Sequence, residues 1–214
     1  VVSRGLLLPG AGAAPRPTVL YFGGNAETVY DLQPSYAELR SRGINIAFVA
    51  YRGYGRSDGH PSSAALLSDA LRVYDALVAR PEVRADAMMV WGRSLGTGIA
   101  THVAAERGVR AIVLASPYAR LSDTAALHYP WLPVRLLFRH EIPSVEWAPR
   151  VRTQALLLHG TEDRLIPIAQ GRLLAAAFGG PAELVALEGQ DHNDLGSEYQ
   201  PRVVAFLTAR ATSD

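Results

Sequence analysis

Residues 87–98 read Ala87-Met88-Met89-Val90-Trp91-Gly92-Arg93-Ser94-Leu95-Gly96-Thr97-Gly98. Five consecutive apolar residues predict a short strand covered on both faces. Gly92 and Gly96 stand two residues either side of Ser94, as a sharp strand-to-helix turn requires, because a Cβ at either flank would collide with the neighbouring strand or helix. Small residues at Gly96, Thr97, Gly98 and Ala100 then predict a helix, Leu95–Arg107, that packs closely on the sheet. A buried strand that turns within a few residues into a close-packed helix is the repeating unit of an α/β sheet.

The same alternation extends in both directions. Thr18–Phe22, Ile44–Ala50, Arg110–Ala115, Gln154–His159 and Glu183–Leu187 are short and nearly continuous in apolar character, and join Ala87–Trp91 as predicted strands. Between them Glu27–Arg42, Ala64–Arg80, Asp123–Phe138 and Ile168–Phe178 are long enough for helices, and Gln200–Ala211 closes the chain. In Ala64–Arg80 the residues Leu66, Ala70, Val73 and Leu77 recur at 4, 3 and 4, which is one face of a 3.6-residue helix. Val1–Leu8 adds a further strand before the Pro- and Gly-rich turn 9–17. The expectation is a single domain over 1–214, a mostly parallel, doubly wound sheet with helices on both faces. Residues 118–153 form a short helical insert near the active site, so any cap is minimal.

In such a sheet ligands bind beyond the carboxyl ends of the strands, so chemistry is sought in the residues that follow each one. Gly92-Arg93-Ser94-Leu95-Gly96 fits G-x-S-x-G, the nucleophile elbow. Gly55-Arg56-Ser57-Asp58-Gly59 fits it too. Context separates them: Ser57 lies seven residues past its strand, His60-Pro61 prevents a helix from following, and Asp58 would oppose the negative charge of acyl transfer. Ser94 is therefore the expected nucleophile and Ser57 a structural turn. The loop after Gln154–His159 offers two acids, Glu162 and Asp163. Of six histidines, His192 alone follows the last predicted strand, where a loop can bring imidazole over the serine. His60 precedes the acid, His102 lies within the serine's own helix, His128 and His140 belong to the insert, and His159 reads as a hydrogen-bonded core residue. Gly23-Gly24-Asn25 follows Thr18–Phe22 and leads into a helix, so the Asn25 N–H is the expected oxyanion donor alongside that of Leu95.

Composition excludes several other classes. The 214 residues carry 21 basic and 20 acidic side chains, a net charge of +1 that gives no field for nucleic acid. No cysteine is present, which removes a disulfide framework, a thiolate metal site and a cysteine nucleophile. All the basic residues are arginine, so neither a P-loop nor a lysine Schiff base is available. Gly10-Ala11-Gly12 follows three leucines, but Pro15 and Pro17 forbid the helix that would receive a dinucleotide pyrophosphate. Neither a cofactor nor a metal is expected. No apolar run approaches the roughly 18 residues needed to span a bilayer. The chain begins Val1-Val2-Ser3 without a signal-peptide pattern, so the compartment stays open and membrane association is expected only through a segment upstream of Val1.

These residues resemble the α/β-hydrolase superfamily, and within it the small, cap-poor serine hydrolases that include protein depalmitoylases. The carriers are residues 21–27, 51–57, 92–98, 128–133, 159–163 and 191–195, which read YFGGNAE, YRGYGRS, GRSLGTG, HYPWLP, HGTED and DHNDL. The resemblance implies Asp163, in D-x-x-I-P, as the acid of a Ser94–His192–Asp163 triad, with Asn25 and Leu95 as oxyanion donors. It departs in two places: members usually carry His-Gly-Asn where this chain has Gly23-Gly24-Asn25, and the cysteine-rich, lipidated N-terminal segment of the depalmitoylases has no counterpart here. The expected activity is hydrolysis of short to medium acyl esters or thioesters. The alternatives are a peptidase-like hydrolase and a catalytically silent scaffold of the same fold. Gly24, Arg93, Tyr118 and Trp131 are the expected substrate contacts. Trp131, Leu132, Leu136, Leu137 and Phe138 could wall an acyl chain, and they equally fit the buried face of an ordinary helix.

Overall fold

The computed structural model describes residues 4–25, 27, 34–128, 131 and 141–212. Seven strands form one sheet: β1 (Arg4–Leu8), β2 (Arg16–Phe22), β3 (Asn45–Ala50), β4 (Val83–Arg93), β5 (Ala111–Ala115), β6 (Gln154–Gly160) and β7 (Ala182–Leu187). Their spatial order is β1-β3-β2-β4-β5-β6-β7. Only β1 is antiparallel, pairing Leu6 with Phe48 of β3, and every other pair is parallel. The helices are α1 (Pro34–Ser41), α2 (Ser63–Val78), α3 (Leu95–Glu106), α4 (Leu121–His128), α5 (Ser144–Trp147), α6 (Ile168–Ala177) and α7 (Tyr199–Thr212), with a 3₁₀ turn at Ala148–Arg150.

The apolar strand runs are continuous because both faces are covered. In β4, Met88 and Val90 join Leu20, Phe22, Ile112 and Leu114 under Leu66, Ala70 and Tyr74 of α2 and Ile99 and Val103 of α3. The alternate residues Met89 and Trp91 join Val19, Tyr21 and Val113 under Tyr36 and Leu39 of α1 and Tyr199, Val203 and Leu207 of α7. The period of two along the strand delivers successive side chains to opposite cores. At the polar edge of the sheet, buried Asn45 donates to Thr18 Oγ1 and the Glu82 carbonyl and accepts from the Gly10 N–H, each at 3.0 Å. Those bonds tie the Pro- and Gly-rich turn to β3 and to the start of β4.

Several elements differ from the reading of the sequence. On α2 the third buried position belongs to Tyr74 rather than Val73: its ring is 5% exposed, and its hydroxyl reaches the Gly108 carbonyl at 2.7 Å. A tyrosine with a polar partner at its tip can be buried where the smaller valine would leave space. The helix expected over Glu27–Arg42 is described only from Pro34, and the one expected over Asp123–Phe138 only as α4. Residues 28–33 and 132–140, which include His140, Leu132, Leu136, Leu137 and Phe138, lie outside the described residues. The short α5 within 118–153 carries no periodicity long enough to be read.

The chain leaves β2 for β3 on one side and then crosses to β4 on the other, so the sheet's topological switch lies between β2 and β4. In open parallel sheets ligands bind beyond the carboxyl ends of the strands at such a switch point. Ser94 follows β4 and Asn25 follows β2 there.

Candidate active site

Ser94 stands between β4 and α3 with φ 49° and ψ −118°, a conformation that costs an L-residue about 1–3 kcal/mol and persists only when its surroundings enforce it. The enforcement is visible. Its N–H donates to the Ala115 carbonyl at the end of β5 at 2.9 Å, and its carbonyl accepts from the Thr97 N–H at 2.9 Å and the Thr97 hydroxyl at 2.6 Å. Backbone from β2 passes so close to α3 that a Cβ on Gly96 would lie 2.0 Å from the Phe22 carbonyl oxygen. The elbow is thereby clamped between β2 and β5.

His192 arrives from the loop after β7. Its Nε2 lies 2.9 Å from Ser94 Oγ, and its Nδ1 lies 2.7 Å from Asp163 Oδ2. An ionised carboxylate only accepts, so Nδ1 carries the proton and Nε2 presents its lone pair to the serine hydroxyl. The Asp163 side chain has no exposed surface. Its Oδ1 accepts from the N–H groups of Leu165 at 3.0 Å and Ile166 at 2.7 Å. Burial alone would push this carboxyl's pKa up, but the nearby His159 ring and hydrogen bonds from His192 and the Ile166 amide outweigh it and hold the group well below the usual carboxylate range. Glu162, the other acid open to the sequence, points into solvent.

The remaining histidines sort by environment. His159 is fully buried, donates from Nε2 to the Ile166 carbonyl at 2.7 Å, and brings the same nitrogen within 3.4 Å of Asp163 Oδ2. It belongs to the core, as read, and it also backs the acid, which no local pattern reveals. His102 packs against Trp147 at 4.6 Å between ring centroids. His128 contacts the Leu165 carbonyl at 2.8 Å, and His60 is exposed. Ser57 is buried and spends its hydroxyl on the Ala50 carbonyl at 2.9 Å, a structural turn.

The loop at 23–25 is held from several directions. Tyr51 donates to the Gly23 carbonyl at 2.7 Å, and the Tyr54 hydroxyl bonds Asn25 Oδ1. Glu27 accepts from the Gly24 N–H at 2.9 Å and from the Tyr21 hydroxyl at 2.7 Å. A Cβ on Gly24 would lie 3.5 Å from Ser94 Cβ, so this loop runs directly past the serine. Leu95 opens α3, where first-turn N–H groups have no acceptor within the helix.

Two of the expected substrate contacts are placed elsewhere. Tyr118 is fully buried, with its hydroxyl donating to the Leu95 carbonyl at 3.1 Å, so it steadies the start of α3 from below and has no surface to offer a ligand. The missing Cβ of Gly98 makes room for that hydroxyl. Arg93 turns away into an ion pair with Glu27, both side chains less than one-fifth exposed. Its charge persists although burial opposes it, because Glu27 outweighs that cost. Trp131 is 73% exposed. Among the described residues no group of three or more His, Asp or Glu side chains could hold a metal ion, and no helix is long and apolar enough to cross a membrane.

The family model described as serine aminopeptidase, S33 (Hydrolase_4) matches residues 13–147. An uncharacterised protein of Mycobacterium tuberculosis, Rv2307c, is 33% identical over 190 residues, spanning 89% of this chain and 68% of that protein. Alpha/beta hydrolase domain-containing protein 17B of Xenopus tropicalis is 31% identical over 194 residues, spanning 89% of this chain and 66% of the relative. Among solved structures, an acetyl xylan esterase from Paenibacillus sp. R4 superposes with a TM-score of 0.80 at 17% identity, covering 97% of this chain and 79% of the esterase. That last likeness is one of fold.

Proposed function

Since this chain belongs to the Hydrolase_4 family of α/β-hydrolases, we propose that it is a serine hydrolase cleaving carboxylic ester or thioester bonds of short to medium acyl substrates. The observation that carries the reading is the unbroken hydrogen-bonded line from Ser94 Oγ through His192 to Asp163, at 2.9 and 2.7 Å. Ser94 Oγ attacks the acyl carbon while its proton passes to His192 Nε2. The negative oxygen of the tetrahedral intermediate is received by the N–H groups of Leu95 and Asn25. The bond to the leaving oxygen or sulfur then breaks as Nε2 returns the proton to it, leaving an acyl-Ser94 ester. Water repeats the sequence, with Nε2 again taking the proton, and releases the carboxylic acid. Asp163 keeps the imidazole in the Nδ1–H tautomer and stabilises its cation without becoming protonated. Its depressed pKa supports that constant charge.

The acyl chain is expected at the carboxyl ends of β2 and β4, where the Gly24 loop passes Ser94, with the exposed Trp131 as its proposed apolar contact. The expected substrates are small-molecule esters and thioesters. The family description favours one second reading, an aminopeptidase using the same groups on an amide. A fluorophosphonate probe tests the nucleophile: labelling of the wild type that vanishes in Ser94→Ala upholds it, and an unlabelled wild type favours a silent scaffold. A p-nitrophenyl ester series run beside aminoacyl p-nitroanilides tests the substrate. Turnover is expected to peak at short to medium esters; a steady rise to palmitate, or faster anilide cleavage, would overturn the assignment.

A further inference from the structure

The geometry points to Glu27 and Arg93 as positioning residues, a clasp that sets the oxyanion loop, the nucleophile and the base in register with one another. This inference rests on the reading of Ser94, His192 and Asn25 just given, and assigns a role to two side chains that the chemistry does not use.

The clasp begins with the two oxygens of Glu27, which serve different loops. Oε2 accepts from the Gly24 N–H and the Tyr21 hydroxyl, while Oε1 pairs with Arg93 Nη1. Arg93 is the residue before the nucleophile, and its other terminal nitrogen lies 3.4 Å from the carbonyl oxygens of both His192 and Asn193. One partly buried ion pair therefore touches the loop after β2, the elbow after β4 and the histidine loop after β7. Those loops hang from strands that are not all neighbours: β5 and β6 lie between β4 and β7. Among the described residues no backbone hydrogen bond joins the third loop to the first, and the side-chain link spans them.

The sequence makes space for this link. A Cβ on Gly23 would fall 2.9 Å from Glu27 Oε2 and 3.3 Å from Glu27 Cβ. Glycine at 23, where the resembling family usually has histidine, leaves the carboxylate room to reach Gly24. The departure noted in the sequence and the presence of Glu27 are two sides of one arrangement.

Donor and acceptor chemistry makes the clasp hard to imitate. Glutamine at 27 has one acceptor oxygen and one NH₂, so whichever way the amide turns, it opposes a donor with a donor, either at Gly24 or at Arg93. Lysine at 93 can pair with Glu27 but lacks the planar fork that also reaches the 192 and 193 carbonyls. Because a displacement near 1 Å at reacting groups costs on the order of 100-fold in rate, Glu27→Gln and Arg93→Met should each lower kcat about 10- to 100-fold while KM stays within about threefold.

The test uses the full chain and three readouts: p-nitrophenyl butyrate kinetics, the rate of fluorophosphonate labelling, and amide hydrogen exchange in peptides covering 23–27 and 190–194. Both single variants should lose kcat, the double variant should be no slower than the worse single, and exchange should rise in both loops whichever residue is changed. Gly23→Ala, which alters neither charge, should reproduce the Glu27→Gln phenotype, and Arg93→Lys substitutes if Arg93→Met fails to fold. Losses that multiply in the double variant, kcat within twofold of wild type, or exchange that rises only in the substituted loop would each overturn the clasp. If the wild type itself is neither active nor labelled, the serine hydrolase reading fails. Exchange then decides the clasp alone: loosening of both loops upholds it, and loosening of one refutes it.

Discussion

Adding one methyl group at Gly96 should test the architecture of the elbow more sharply than changing any reactive side chain. Its Cβ would sit 2.0 Å from the Phe22 oxygen, 2.5 Å from the Phe22 carbonyl carbon and 2.8 Å from the Gly23 oxygen. Real Cβ atoms essentially never approach closer than 3.0 Å, and all three obstacles are backbone, so β2 and α3 must separate by roughly 1 Å. Overpacking of this kind costs about 1–3 kcal/mol, which for a chain of this size lowers Tm by roughly 2–12 °C. The same displacement moves the Leu95 N–H away from the Asn25 loop, so kcat on p-nitrophenyl butyrate should fall by on the order of 100-fold. Gly108→Ala supplies the control, since nothing lies within 4 Å of a Cβ there. Thermal melts and ester kinetics on both variants decide the matter. A Gly96→Ala protein with Tm within 1 °C of wild type and undiminished kcat would refute the claim that β2 and α3 are held at backbone contact.

Asp163 makes a pH prediction. Its folded pKa lies below the unfolded value, so its contribution to stability is complete above about pH 4 and is lost as pH falls through the folded pKa. Asp163→Asn should therefore lower Tm at neutral pH and flatten the decline of Tm between about pH 4 and pH 2; equal slopes in the two proteins would contradict the assignment. Asn45→Ala should cost about 1–3 kcal/mol, because the Gly10 N–H loses its partner while Thr18 Oγ1 keeps the Arg16 carbonyl and the Glu82 carbonyl keeps the Arg16 N–H, read by urea denaturation, with kcat unchanged because the network sits at the far end of β3 from Ser94. Tyr118→Phe should leave KM for short esters within about twofold, since the hydroxyl meets the Leu95 carbonyl rather than substrate; a large rise in KM would return Tyr118 to the pocket.

Seven strands, β1 among them within the expected Val1–Leu8, and the strand-to-helix turn at Ser94 were legible in the chain itself. The physical cause is local: a strand buried on both faces must be apolar at successive positions, and a turn that passes within backbone contact of its neighbours must carry glycine. The loops after strands could likewise be named as the places to look, because a parallel sheet puts all those carboxyl ends on one edge. That logic points to Ser94, to His192 and to the pair Glu162 and Asp163, between which the resemblance decides. In the fold, Asp163 faces His192 and Glu162 faces water.

Where side chains go after leaving a loop was not legible. Tyr118 and Arg93 each follow a strand and so looked like ligand contacts, yet one lies beneath α3 and the other turns back to Glu27, 66 residues away in the chain. His159 could be read as a core residue, but not as a neighbour of the acid. Sequence determined the elements, their glycine-marked contacts and the residue types at the sheet's carboxyl edge, because those follow from backbone sterics and burial over a few residues. Only the tertiary structure decided which polar groups meet across loops, because that depends on strand order, here β2 beside β4 with β7 two strands beyond β5, and no local pattern encodes that order.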